Sequence, residues 1–464
     1  MTMKVLLFPW LGHSHISCFL ELGKKLYNRN VNIHLCSTPV NLKPLRNHSS
    51  DPDSLTLFVD QLIELHLPSL PELPPHLHTS TDLPLHLLPT LKHALDMSSP
   101  QFSKILKTLK PDLLIYDMLQ PWAPVEAWDP FCGLHHHQSE NNRKDRDRIM
   151  GFINNSSNII LVKSFKEIEA KNINSLSVMT HKRIVPVGPL MSSSSYRPCA
   201  HKNVVEWLNT KAGRSTVFVS FGSDSPASGL DLEEIAFGLE KSNVNFVWIS
   251  RCPNFVESFP LGFRKRTKYR GLLVEGWVPP ATILRHKSIG GFVSNCAWSS
   301  VVEAMKLGVP IIAMPVQLDH PINARLAVKA GVGVEVVRDE NGLLSRENVA
   351  AVVQHVVVSS STLVRERAKK LSVDLRVRGE EDIDVVVEEL LHLCKASRRR
   401  LSSCHGGGGG GHKWKRNAAF AIPTDSLEYS LYAEEEGGGE EADDSIDERA
   451  ERFILYNKFN FMKV

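Results

Sequence analysis

Residues 277–320 read WVPPATILRHKSIGGFVSNCAWSSVVEAMKLGVPIIAMPVQLDH, and no other stretch says more about the fold. Pro279-Pro280 predicts a turn, and the apolar run Ile289 to Val293 predicts a short buried strand. Ser294-Asn295 are capping residue types ahead of a predicted helix carrying Val301, Val302, Met305 and Lys306 on one face. Val309 to Met314 predicts the next strand, with Asp319-His320 just beyond its end. A strand that runs into a polar helix start gathers backbone N–H groups and the positive end of the helix dipole, which together favour an anion. In open α/β sheets, ligands bind beyond the carboxyl ends of strands. Taken singly, each tryptophan of the segment fits ordinary core packing; the pattern around it suggests a ligand cradle.

Outward from this segment the chain alternates strands and helices, as a parallel sheet requires. Upstream lie predicted strands Thr216 to Phe221, Asn245 to Ser250 and Leu272 to Glu275, with a helix over Leu232 to Leu239; helices over Glu347 to Val356 and Asp382 to Leu393 follow. The first half starts the same pattern: strand Lys4 to Phe8, helix Ile16 to Tyr27, strand Val31 to Cys36. A Pro- and His-studded stretch to about Thr81 reads as loop, followed by helical sequence to about Leu109. Asp112 to Tyr116 is a further buried strand ending at Asp117, and Asn158 to Val162 and Arg183 to Val187 close the half. The predicted domains are 1–188, 189–396 and a tail, 397–464, with a linker at Val185-Pro-Val-Gly-Pro189.

A chain of 464 residues is long enough for two or three domains. A net charge of +3 gives no case for nucleic acid or anionic membrane. No window reaches the roughly 18 uninterrupted apolar residues of a membrane helix, and Val5 to Leu11 is too short for a secretory signal. Eight scattered cysteines without C-x-x-C fit the reduced thiols of a cytoplasmic protein. There is no G-x-G-x-x-G after the first strand and no G-x-x-x-x-G-K-[ST], which disfavours NAD enzymes and P-loop ATPases.

The spacing from Trp277 through His286, Trp298, Glu303, Gly308, Pro315 and Asp319 resembles, without a gap, the signature box of plant UDP-sugar-dependent glycosyltransferases. The resemblance implies a GT-B fold, α/β, with two Rossmann-like domains facing a cleft and the nucleotide sugar in the C-terminal half. It implies a UDP-sugar co-substrate with no cofactor and no metal, and a small-molecule acceptor such as a flavonoid, a terpenoid or their glycosides. It further implies that Trp277, with Val278 beside it, stacks on uracil, and that Glu303 binds the ribose hydroxyls. His286 would be structural or near the diphosphate. Ser223, Asn295, Trp298, Ser299 and Ser300 would lie along the phosphates, with Asp319 and His320 toward the sugar.

Sugar transfer needs a base for the acceptor hydroxyl, and imidazole has an ordinary pKa of about 6.5 that suits the task. PWLGHSHISCFLELGKKL, residues 9–26, resembles the family segment that carries this base, placing it at His15; Asp117 matches the partner carboxylate. By residue type alone, His15 reads as a solvated loop histidine and Asp117 as a helix cap. A metal pair His13-x-His15 lacks an evident third ligand. His135 to His137 reads as a solvated loop.

This chain departs from the family pattern at Ser14, Cys18, Pro280, Asn295, Ala297, Ser299 and His320. Ser299 and the PINARL that follows the box resemble the subgroup that extends existing glycosides. His320 stands where glucose users carry glutamine, implying altered donor choice. Between Trp128 and Arg143 no periodic element appears, where the resembling family carries a further strand, a helix and a loop; the resemblance thus implies that more than the roughly 30 residues of one βαβ unit are absent from the acceptor-side domain. That gap leaves open an impaired protein that binds nucleotide sugar without a complete acceptor site. The tail combines Arg398 to Arg400, six glycines at 406–411 and an acidic run from Glu434, a composition that does not order itself. It resembles small plant proteins of the cotton-fibre-expressed class, and reads as a natural extension or a fused gene model.

Overall fold

Val5 to Phe8 and Leu113 to Tyr116 are unbroken apolar runs, which suits strands covered on both faces. The structure, a computed structural model, describes residues 3–47, 59–81, 83–120, 122–123, 151–191, 202–222, 229–252, 254–316, 319–358, 363–403 and 417–421. The chain divides into two units: Met1–Arg197 together with Gly379–Val464, and Pro198–Arg378. The expected boundary at 188/189 therefore falls short of the observed one, and the chain from Gly379 belongs with the first unit.

The first unit runs β1 (Met3–Phe8), α1 (His13–Tyr27), β2 (Val31–Ser37), α2 (Pro39–Asn47), β3 (Val59–Glu64), α3 (Leu88–Met97), α4 (Ser99–Leu109) and β4 (Leu113–Asp117). After the 124–150 stretch come β5 (Ile159–Val162), α5 (Lys166–Thr180) and β6 (Arg183–Pro186). Alternation along the strands sorts the core. Val5, Leu7, Leu113, Ile115 and Leu161 pack against Ile16, Phe19 and Leu20 of α1. Leu6, Phe8, Leu114, Tyr116 and Ile160 pack on the other face, against Leu95 and Phe102 of α3 and α4. Phe8 and Phe102 stack with centroids 4.3 Å apart. The sequence reading missed α2 and β3. Strand β3 is the sheet edge and is only half-buried, so its apolar alternation is weak.

The second unit runs α6 (Lys202–Asn209), β7 (Thr216–Ser220), α7 (Gly229–Ser242), β8 (Asn245–Ser250), α8 (Phe263–Arg266), β9 (Gly271–Glu275) and α9 (Pro280–Leu284). It continues with β10 (Ile289–Ser294), α10 (Trp298–Leu307), β11 (Ile311–Ala313), α11 (His320–Lys329), β12 (Gly333–Glu335) and α12 (Arg346–Val357). Its sheet has the order β12-β11-β10-β7-β8-β9, and every pairing is parallel. Pro279-Pro280 does not make a free-standing turn. Pro279 is the N-cap of α9 and Pro280 its first residue, where the missing N–H is harmless. Ser294-Asn295 do not cap α10 either, since Ala297 holds that position. Gly290 sits at a register shift in β10, where a Cβ would meet Arg214 O at 2.4 Å.

Helix α13 (Leu363–Ser403) begins in the second unit and ends in the first, where Ile383, Val386, Leu390 and Cys394 join the core below β1. Arg29 binds Asp384 at 2.6 Å and Lys25 pairs with Glu380, fixing this helix beside α1. Two described stretches fall within the expected tail: α13 as far as Ser403, and β13 (Asn417–Ala421). The first sheet has the order β3-β2-β1-β4-β13-β5-β6. No helix among the described residues is long and apolar enough to cross a membrane.

Candidate active site and donor site

Strands β1 and β4 are parallel neighbours with Phe8 opposite Tyr116, so the chain leaving β1 passes the end of β4. It turns through Gly12, the N-cap of α1, and brings His15 into the first turn of that helix. His15 Nδ1 lies 2.7 Å from Asp117 Oδ2, with the residues 1% and 0% exposed. Neither the solvated loop histidine nor the capping aspartate describes this pair. Trp10 N–H donates to the same Oδ2 at 3.3 Å, and Leu119 N–H to Oδ1 at 3.3 Å. A carboxylate so held has a fixed rotamer and presents one oxygen to the imidazole.

The loop before His15 is braced by residues that the sequence reading passed over. Gln120 Nε2 donates to Pro9 O at 3.0 Å, Trp10 Nε1 to Ser80 Oγ at 3.1 Å, and His13 N–H to Thr81 Oγ1 at 3.1 Å. Asn41 and Thr79 both donate to Leu11 O. A Cβ at Gly12 would meet Ser80 Oγ at 2.7 Å, so the brace closes tightly on that turn. These partners come from segments up to 111 residues away and carry no motif. Among the described residues no group of three His, Cys, Asp or Glu side chains is placed to hold a metal, and His135 to His137 lie outside them.

In the second unit, β10 hands over to α10 through a tight connection. Cys296 adopts φ +68, an uncommon conformation for a non-glycine residue. Ser294 Oγ accepts from Cys296 N–H at 3.0 Å, Asn295 Oδ1 accepts from Ala297 N–H at 3.4 Å, and Asn323 Nδ2 donates to Cys296 O at 3.0 Å. Asn295 Nδ2 donates to Phe221 O at 2.9 Å, so this side chain ties the ends of β7 and β10 together. The first intrahelical bond of α10 runs from Val301 N–H to Ala297 O. The amides of Trp298, Ser299 and Ser300 thus precede any carbonyl the helix can offer them.

The remaining candidates separate. Trp277 is half-buried, with the Arg251 guanidinium 6.0 Å from its ring centroid, and Val278 beside it is buried. Trp298 is 2% exposed, its ring packed into the core of the unit. Ser299, Ser300 and Glu303 are half-buried along α10. His286 is tied by Nδ1 to Ser288 Oγ at 2.8 Å and by Nε2 to Asn209 Oδ1 at 3.1 Å, a structural engagement; burial, then Lys287, pulls its pKa down. Asp319 is held by Asn323 Nδ2 at 2.7 Å. His320 opens α11 almost wholly buried, and burial lowers its pKa to about 4, so it is neutral near pH 7. Ser223 lies outside the described residues.

A family model described as UDP-glucoronosyl and UDP-glucosyl transferase matches residues 186–384. UDP-glucosyltransferase 29 of Panax ginseng is 43% identical over 439 residues, covering 85% of this chain and 97% of that relative. This chain belongs to the plant UDP-glycosyltransferases. Since 85% of 464 residues is about 394, about 45 of the 439 aligned positions carry no residue of this UDP-glycosyltransferase. The number is of the size expected for the shortfall after Trp128, and the alignment length alone does not place it. Cyanidin-3-O-glucoside 2-O-glucuronosyltransferase of Bellis perennis is 40% identical, covering 85% of this chain and 98% of that relative. Both relatives are named for sugar transfer, which does not favour the impaired alternative. The fold class is GT-B. A crystal structure of Glycyrrhiza uralensis UGT73P12, complexed with glycyrrhetinic acid 3-O-monoglucuronide, superposes with a TM-score of 0.73 at 21% identity, over 87% of this chain and 98% of that one.

Proposed function

We propose that this UDP-glycosyltransferase moves a sugar from a UDP-sugar to a hydroxyl of a small plant metabolite or its glycoside, with inversion and without a metal ion. The observation that carries the reading is the buried His15–Asp117 pair at 2.7 Å. With Nδ1–H donated to Asp117, the Nε2 lone pair is left to accept the acceptor's proton. The acceptor oxygen bonds to the anomeric carbon as the bond to the diphosphate oxygen breaks, and UDP departs with that electron pair. The proton ends on Nε2, and Asp117 steadies the imidazolium. One in-line displacement inverts the anomeric centre.

Trp277 is assigned to the uracil ring and Glu303 to the ribose hydroxyls. The amides opening α10, with Ser299 and Ser300, are assigned to the diphosphate in place of a cation. Asp319 and His320 are assigned to the sugar, and histidine at 320, where the resembling glucose users carry glutamine, supports a donor other than glucose. The Bellis perennis relative, named for a glucoside acceptor, supports a glycoside acceptor here.

The test offers UDP-glucose, UDP-galactose, UDP-arabinose and UDP-xylose, each with a flavonoid or triterpenoid glycoside, with and without EDTA. Product mass and anomeric configuration are the readouts. One added sugar of inverted configuration, unaffected by EDTA, is expected. No turnover with any donor overturns the reading, and clear preference for UDP-glucose removes the altered donor choice.

A further inference from the structure

Strand β13 is remote in the chain yet interior in the sheet. Between Asp117 and Ile159 the described residues form no strand, and β13 lies between β4 and β5, parallel to both. The pairing on one side sets Asn417 opposite Leu114 and Phe420 opposite Asp117; on the other, Ala419 faces Ile160 and Ala421 faces Val162. Adjacent strands are about 4.8 Å apart, so without β13 the facing edges of β4 and β5 would stand about twice that apart, beyond hydrogen-bond reach. Two rows of backbone donors and acceptors would be left without a ladder.

The vacancy has a source and the filler has a route. About 45 aligned positions of the ginseng relative find no residue here, and the family resemblance of the flanking sequence assigns that shortfall to the stretch between β4 and β5. Helix α13 is anchored in the core of this same unit through Ile383, Val386, Leu390 and Cys394. Thirteen residues, 404–416, separate its end from β13, and six of them are consecutive glycines. At about 3.3 Å per residue such a segment reaches roughly 40 Å.

We propose that the slot between β4 and β5 is an interaction surface whose partner is Asn417–Ala421 of the same chain. The C-terminal segment replaces an absent strand, closes the sheet, and holds β4, whose last residue is Asp117. The tail is thus a part of the acceptor-side unit.

Hydrogen exchange on the full-length chain, followed by mass spectrometry, tests the pairing without reference to catalysis. Slow exchange is expected at 418–421, at Leu114–Asp117 and at Ile160–Val162. Every N–H of an interior strand serves one neighbour, so Ala419→Pro removes a ladder bond. It is expected to abolish protection in β13, to speed exchange in β4 and β5, and to lower Tm by several degrees, while Ala419→Val keeps protection and Tm. Free-peptide exchange rates at 418–421 in the unaltered chain overturn the proposal, as does unchanged protection of β4 in the proline variant. Should that variant fail to fold, the exchange of the unaltered chain decides alone. Protection that disappears on dilution, with a dimer dissociating in step, overturns the within-chain pairing. A fall in kcat for Ala419→Pro is read last, because it alone rests on the proposed role of Asp117.

Discussion

The sheet of the second unit is assembled from one continuous run of chain, Thr216 to Glu335, whereas the sheet of the first takes an interior strand from Asn417–Ala421. The same contrast separates the two sites. The residues proposed for the donor, from Trp277 to His320, sit within 44 consecutive positions, so local turns and one strand–helix junction set most of their geometry, with ties from Asn295 to Phe221 O and from His286 to Asn209. The His15–Asp117 pair joins positions 102 residues apart and exists only because β1 and β4 are neighbours. A site built locally survives loss of chain elsewhere. A site built across a sheet depends on every strand that holds its supports in register.

Three substitutions or conditions sharpen that contrast. The largest effect is expected at His15→Ala: turnover falls by about 10²–10⁴, the usual worth of a positioned base. UDP affinity by titration calorimetry stays within a few-fold, and a matching loss of UDP binding would erase the division of labour. Glu303→Ala should do the reverse. Losing hydrogen bonds to a charged group weakens UDP binding by about 10- to 100-fold. At saturating donor kcat stays near the unaltered value, and a collapse of kcat with unchanged KM would contradict the assignment.

The smallest effect, nil at pH 7, concerns His320. Its folded pKa of about 4 lies below the ordinary 6.5, so the unfolded chain takes up the proton first as pH falls. Its contribution to stability is full above about pH 6.5, is lost between about 6.5 and 4, and changes no further below that. The upper bound is on the order of 3 kcal/mol. Burial lowers the pKa of His34, His78 and His286 as well, adding in the same direction. Urea midpoints at pH 7 and pH 4.5 should differ less in His320→Gln than in the unaltered chain, and an equal difference would remove the histidine from this account.

Much of this was legible in the sequence, for identifiable reasons. Buried parallel strands such as Leu113–Asp117 and Ile289–Ser294 write themselves as apolar runs, and the donor box writes itself as spacing. Trp298 shows what residue type cannot tell, since a tryptophan serves a ligand or a core equally well and only the structure puts this one at 2% exposure. The tie from the Asn295 amide to Phe221 O was not legible, because it depends on β7 and β10 being adjacent. The braces on the His15 loop are single polar residues, Thr81 and Gln120 meeting backbone and Ser80 meeting the Trp10 indole across the fold, which leaves no periodic trace. Strand β13 was invisible for a like reason: Asn-Ala-Ala-Phe-Ala is short and weakly strand-forming, and its setting is supplied by β4 and β5.

The central claim is that His15 and Asp117 act as one catalytic unit, and a double-mutant cycle tests it most directly. Turnover would be measured for His15→Ala, Asp117→Asn and the double variant under saturating donor. The account predicts that once His15 is gone, replacing Asp117 changes little more, so the double variant matches the single His15 variant. Strictly additive losses would show that the carboxylate serves turnover independently of the imidazole and would contradict the account.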